Sequence, residues 1–160
     1  MKAVIHIVDD STFSEHWSGP EGFKGLTEQQ LKLIENTRTG NILLNTLTLE
    51  VTIRPWEAES KFLFGEGRVQ IRHHPTRIMV YDGFCITPPV ALAHELIHAL
   101  HFQLKHFQPG MTTEQKLQEE HRTIGIEGFE KEQITENQFR ADIGIAARTR
   151  YIPGEGNKLF

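Results

Sequence analysis

The stretch PPVALAHELIHALHFQ, Pro88 to Gln103, constrains this chain more than any other. Leu92, Leu96 and Leu100 recur every four residues and Leu104 continues the series, which places them on one face of an α-helix. His94, His98 and His101 mark another face. With leucines on one side and imidazoles on another, such a helix has little surface to offer water. It belongs at the centre of the molecule, with the other elements packed around it. Thr87 suits the N-cap, Pro88-Pro89 suit the first turn, and Pro109-Gly110 stops the helix after about Phe107.

The remaining sequence supplies what packs around that helix. At 160 residues the chain is long enough for one compact domain with a single core, and residues 1–160 are read as one domain. MKAVIHIVDD reads as a first strand and not as a cleavable signal peptide. Thr27 and Gln30 have the spacing of a capping box opening a helix through LTEQQLKLIENTR, with Leu31, Leu33 and Ile34 as its apolar face. NILLNTLTLEVTI reads as a short helix running into a strand near Leu49 to Ile53. RVQIRHH alternates, with Val69 and Ile71 on one side, and RIMVYDGF reads as a second strand after Pro75. Helical signals return at TTEQKLQEEHRTIG and at TENQFRADIGIAARTRY, where Thr135 and Gln138 have the spacing of another capping box. The tail IPGEGNKLF reads as irregular. The expected fold is α+β: a small, mostly antiparallel sheet, a buried central helix, and further helices in the C-terminal half.

Composition narrows the function classes. The hydrophobic fraction of 38% and charged fraction of 24% fit a soluble globular domain. A net charge of −4 speaks against a nucleic-acid or anionic-membrane partner, and no apolar run reaches the length of a membrane span. The lone cysteine, Cys85, excludes an internal disulfide framework, fits a reducing cytosol, and is expected as a small buried hydrophobe. Trp17 and Trp56 read as packing residues.

The central helix also carries chemistry, because HELIH has the form H-E-x-x-H. Residues four apart stand one turn above each other, so His94 and His98 can aim two nitrogens at one zinc ion. Glu95 sits one residue round, beside the metal, where a carboxylate can take a proton from a water whose pKa the metal lowers to about 7. Such a catalytic site needs a third protein ligand, and His121, Glu119, Glu120, Glu136 and Asp142 are the candidates. His101 lies about 10 Å along the axis from His94, which suits a supporting role better than coordination. If the next helix faces inward at positions 117, 120, 121 and 124, Glu120 or His121 is favoured over Glu119, and spacing does not separate the two. His73 and His74 are adjacent on a strand and so point to opposite faces, which argues against a ligand pair. Arg140 and Arg150 could each grip substrate or pair with Glu119, and a solvent-facing charge is the reading favoured for both.

HELIHALH, then EEHRTIG, then RTRY resembles the catalytic signature of clostridial neurotoxin light chains, which carry HELIHxxH, EExRTxG and RxxY. That resemblance implies that Glu120 is the third zinc ligand, that Arg148 and Tyr151 flank the scissile carbonyl, and that Glu136, twelve positions before Arg148, supports the metal from behind. A closer resemblance, over roughly Pro88 to Tyr151, is to NleD-type effector metallopeptidases of bacterial secretion systems, which similarly run HELIHA, EExxTxG, TENxxR and RxxY. It implies a compact zincin-like domain holding one Zn2+ and acting as a gluzincin-type endopeptidase on an extended peptide of a protein substrate. It implies a monomeric effector or toxin, made in the bacterial cytoplasm, secreted without a classical signal peptide, and acting in the target-cell cytosol. The known targets of NleD-like proteins are stress-activated MAP kinases. An interbacterial or housekeeping zinc peptidase, or an inactive zinc-containing binding module, are the alternatives.

Overall fold

The computed structural model describes residues 2–8, 22–55, 61–65 and 68–153; Trp17, Trp56 and the tail from residue 154 lie outside them. The fold is α+β. Strand β1 (Val4–Ile7) leads to helices α1 (Gly22–Glu35) and α2 (Arg38–Thr46), and β2 (Glu50–Pro55), β3 (Lys61–Gly65) and β4 (Arg68–His73) follow. These four strands form one sheet in the order β1-β2-β4-β3. A hairpin, β5 (Met79–Tyr81) and β6 (Phe84–Ile86), then precedes the helices α3 (Pro88–Gln103), α4 (Thr113–Ile124) and α5 (Glu136–Asp142).

Sheet orientation departs from expectation. β1 pairs with β2 and β2 with β4 in parallel, and only β3 with β4 is antiparallel. The physical reason is connectivity. Two helices cross over between β1 and β2, and β3 goes to the outer edge, so β4 returns beside β2 in the same direction. Alternation along RVQIRHH reports which residues face the core but carries no information about strand direction. It did identify the core face: Val69 and Ile71 are buried, beside the buried Val51 and Ile53 of β2.

Local corrections have similar causes. The first helix starts at Gly22, so Thr27 is no cap; it lies with Phe23, Leu31 and Ile34 in the buried stripe, whereas Leu33 is exposed. Thr37 caps the next helix instead, its hydroxyl accepting from the Gly40 amide. A side chain at Gly40 would run into the backbone of Ile34, so glycine is what lets α1 and α2 meet this closely. RIMVYDGF is a hairpin and not one strand. It turns at Asp82-Gly83, where Gly83 has φ +95°, and Cys85 is exposed because alternation turns Ile86 inward.

The central helix is buried as expected, from Val90 through His101 without interruption. Thr87 sits at its N-cap without a side-chain hydrogen bond; Pro88 and Pro89 have no N–H there to cap. The helix ends at Gln103, short of Phe107. Lys105 adopts φ +64° and turns the chain, so that His106 N and Phe107 N both donate to His101 O and Phe107 packs back into the core. Gln103 ties this end to the connection between α2 and β2, accepting from Thr48 N and Leu49 N and donating to Thr46 O. Among the described residues, no helix is long and apolar enough to cross a membrane.

Candidate metal and catalytic centre

Three helices bring the candidate side chains together. α3 contributes His94, Glu95 and His98, all buried. α4 opens with a complete capping box between Thr112 and Gln115 and closes at Gly125, which has φ +91°. A Cβ on Gly125 would come within 2.8 Å of Thr135 Oγ1, so the end of α4 presses directly on the residue that caps α5. That contact places the first residue of α5, Glu136, beside the imidazoles of α3. Glu136 is fully buried.

The inward face of α4 is 119, 120, 123 and 124, and Leu117 is exposed. The expected phase was wrong because a hydropathy pattern cannot foresee a buried stripe containing two carboxylates. Glu119 does not point sideways, and His121 is only half-buried. Asp142 is also outside the cluster, its carboxylate accepting from the Thr39 amide at the start of α2.

Glu120 Oε1 lies 3.0 Å from His94 Nε2 and 3.1 Å from His98 Nε2. The other nitrogen of each ring meets a different carboxylate: His94 Nδ1 is 2.7 Å from Glu136 Oε1, and His98 Nδ1 is 2.6 Å from Glu119 Oε2. Burial alone would raise the pKa of both outer glutamates. For Glu136 the His94 hydrogen bond and the charges of Arg148, His94 and Arg140 outweigh it; for Glu119 the His101 and His98 bonds and charges do so. Both are pulled down to about 2, so each is an ionised acceptor. Each of these carboxylates can accept from Nδ1 of its ring, which leaves Nε2 of the same ring directed at Glu120.

That arrangement tests the fit of a metal. Two ring nitrogens converge on one carboxylate oxygen, each within 3.1 Å of it, a donor set that a cation between them would satisfy. Two imidazoles and a carboxylate suit zinc, and the carboxylates behind the rings are the usual outer support. His94, His98 and Glu120 form one set able to hold an ion. His98, His101 and Glu119 form a second such set, but its Glu119 contacts of 2.6 to 3.0 Å are those of hydrogen bonds between donor nitrogens and an acceptor carboxylate.

The arginines are more deeply engaged than expected. Arg140 is buried, not solvent-facing; its Nε donates to Glu136 Oε2 at 2.6 Å and its Nη2 to Cys85 O. Arg148 is buried at 1% exposure, its Nη1 donating to Glu136 Oε1 at 3.2 Å and its Nε to Arg150 O. Residues 144–151 are not helical, so the Arg148–Tyr151 spacing does not act through a helical turn. Instead Asn137 clamps the Arg148 backbone by donating to its carbonyl and accepting from its amide. Arg148 also lies over the Phe84 ring at 4.5 Å. Arg150 is exposed, as expected, and donates to Asp82 O. Tyr151 is half-buried and follows the carbonyl that Arg148 holds.

Sequence reading missed Arg140, Thr123 and Asn137 as members of this network. A signal existed for two of them: Arg140 stands four residues after Glu136, and Thr123 stands four after Glu119, where its hydroxyl donates to the Glu119 carbonyl. Asn137 stands with Arg140 in the TENxxR element that the chain shares with NleD-type effectors, but neither its spacing nor the resemblance gave it a role.

Beyond this geometry, the model of the peptidase M91 family, described as effector protein, matches residues 11–151. The chain belongs to the peptidase M91 family. No curated protein matches it. The M91 match covers α3, α4, α5 and the segment through Tyr151, the part that resembles NleD-type effectors. As an M91 member the chain is an effector of a peptidase family, and its three-helix cluster is where that chemistry is to be sought.

Proposed function

We propose that this M91 protein is a zinc-dependent endopeptidase of gluzincin type, in a zincin-like domain, that acts as a secreted bacterial effector on a specific protein of the target cell. The observation that carries the reading is the convergence of His94 Nε2, His98 Nε2 and Glu120 Oε1, with Glu136 and Glu119 fixing the two rings from behind. His94, His98 and Glu120 would hold the ion. Zinc, when bound there, supplies Lewis acidity toward a water and a peptide carbonyl.

The chain's own groups do the rest. Glu95, buried and one residue round α3 from His94, takes the proton of the attacking water and passes it to the leaving amine. Arg148 brings positive charge and Tyr151 a phenolic O–H to the side where the carbonyl oxygen gains charge, each worth a few kcal/mol when preorganised. Arg148 is preorganised by Glu136, the Asn137 clamp and the Phe84 face. His101 steadies His98 by sharing the Glu119 carboxylate. The substrate binds as an extended peptide, for which the hairpin before α3 offers a strand edge. The protein acts as a monomer in the target-cell cytosol, and a stress-activated MAP kinase, the kind of target that the resemblance to NleD-type effectors implies, is the first substrate to try.

The test compares the protein with Glu95→Ala in a target-cell lysate, identifying new protein termini by mass spectrometry. The expected result is new termini with the first and none with the second, although both bind zinc equally. Equal proteolysis by both would overturn the assignment of Glu95.

A further inference from the structure

A groove of about 490 Å³ lies between the turn that follows α3 and one side of α4. Its basic side chains are Lys105, His106 and Arg122, against one carboxylate, Glu119. Glu119 is only 3% exposed, and its oxygens are already engaged with His98, His101 and Thr123. The charged groups presented to a ligand are therefore donors. This is a local departure in a chain whose net charge is −4.

The donors are arranged and not merely present. Arg122 is held over the Phe129 ring at 5.1 Å and paired with Glu132 at 3.2 Å. Its Nη1 donates to His106 Nδ1 at 2.7 Å, which fixes the neutral His106 ring with its proton on Nε2, a second donor. Lys105 is exposed, and its ammonium has no ion pair or hydrogen bond among the described residues. It stands at φ +64°, the left-handed position closing α3, where glycine would be easier. Phe129 adds an apolar face for a side-chain stem.

We infer that this groove binds an acidic segment of the polypeptide that the enzyme cleaves, with Lys105, His106 and Arg122 as anchors for a substrate carboxylate. The inference rests on the peptidase reading above and adds a substrate preference to it. A guanidinium with a neighbouring ammonium and imidazole N–H is the donor set that a carboxylate accepts from. The same helix, α4, carries Glu120 at the metal cluster and Arg122 at the groove, and Glu119 lines both. A peptide crossing a helix about 10 Å wide needs about three extended residues. The acidic residue accordingly lies a few residues from the cut bond.

The test is binding by fluorescence anisotropy to the full, zinc-loaded protein. The probes are two peptides with the same label, (Gly-Glu)3 and (Gly-Gln)3. The glutamate peptide should bind about tenfold or more tightly than its neutral partner, with an advantage that falls as salt rises. Lys105→Gly and Arg122→Gln should each remove most of that advantage. Lys105→Gly relieves the left-handed backbone, so its thermal midpoint should be unchanged or higher, and lost binding cannot then be put down to misfolding. Equal binding of the two peptides, or a glutamate preference that survives both substitutions, would overturn the inference. The peptidase reading fails separately: selective binding through Lys105 without any proteolysis leaves the groove standing, and proteolysis with equal peptide binding removes the groove alone.

Discussion

Glu136→Gln is the most informative single change in this protein. The Glu136 carboxylate accepts from Arg140 Nε at 2.6 Å, from His94 Nδ1 at 2.7 Å and from Arg148 Nη1 at 3.2 Å. None of these four side chains is more than 5% exposed. Two guanidiniums thus depend on one anion in a site buried from bulk solvent. Breaking a buried ion pair from one side typically costs about 3–5 kcal/mol. The amide oxygen of glutamine keeps one acceptor, which argues for the lower end, near 3 kcal/mol; the second arginine left facing an amide argues against anything smaller. Against an ordinary domain stability of about 5–15 kcal/mol the variant should still fold. Urea unfolding followed by circular dichroism, with zinc chelated, reads the loss as a shift in midpoint at constant slope. Zinc affinity, measured by competition with a chromophoric chelator, should fall roughly 10–100-fold, because His94 loses the partner that fixes its tautomer. An unfolding free energy within about 0.5 kcal/mol of the unmodified protein would refute the reasoning: surface substitutions have effects of that size, and Glu136 would then not be the anion that holds Arg140 and Arg148.

Three further outcomes are expected. Glu120→Ala should lower bound zinc by more than the roughly 10–100-fold assigned to an outer partner, judged by metal analysis after dialysis; full retention would move the ligand to Glu119 or His121. Tyr151→Phe should reduce kcat on the order of 10²-fold with little change in KM, and a pure KM effect would make Tyr151 a binding residue. His73, buried against Gln30, has its pKa lowered to about 3 by burial, with the neighbouring His74 adding to the shift. Its folded pKa lies below the ordinary 6.5, so the unfolded chain binds more protons in between; stability is whole above about 6.5 and falls toward about 3, by at most about 1.4 kcal/mol per pH unit. Acid unfolding of His73→Leu should lack that limb, and an unchanged profile would remove His73 as its source.

The parts of the centre that were legible in the sequence are those whose chemistry depends on spacing within one helix. His94, Glu95 and His98 could be placed on α3 before any fold was known, because a 3.6-residue period fixes their relative directions. Thr135 could be named as a cap for the same reason. What depends on packing between elements was not legible. Which face α4 turns inward was set by the contacts of Glu119 and Glu120 with the imidazoles of α3, and a hydropathy pattern that puts Leu117 inward turns Glu119 away. Arg140 was assigned to solvent by the same rule and is held inside by Glu136. Strand direction escaped the reading because alternation is identical in parallel and antiparallel ladders. Position 120 itself followed from the family resemblance, which carried information that residue spacing did not.

The bond from the Thr39 amide to Asp142 ties the start of α2 to the end of α5 across 103 residues. α5 is seven residues long, well below the dozen or so that a helix needs to persist alone in water. It exists because its two ends are held, by Asp142 on α2 and by Glu136 among the arginines and His94. The support behind His94 is consequently among the last things this chain can build. A polypeptide emerging from a ribosome, or threading a narrow export channel, lacks it until the segment through Arg148 has come through and docked. On the zinc-peptidase reading proposed above, the support of His94 would arrive with the completed fold and not before it.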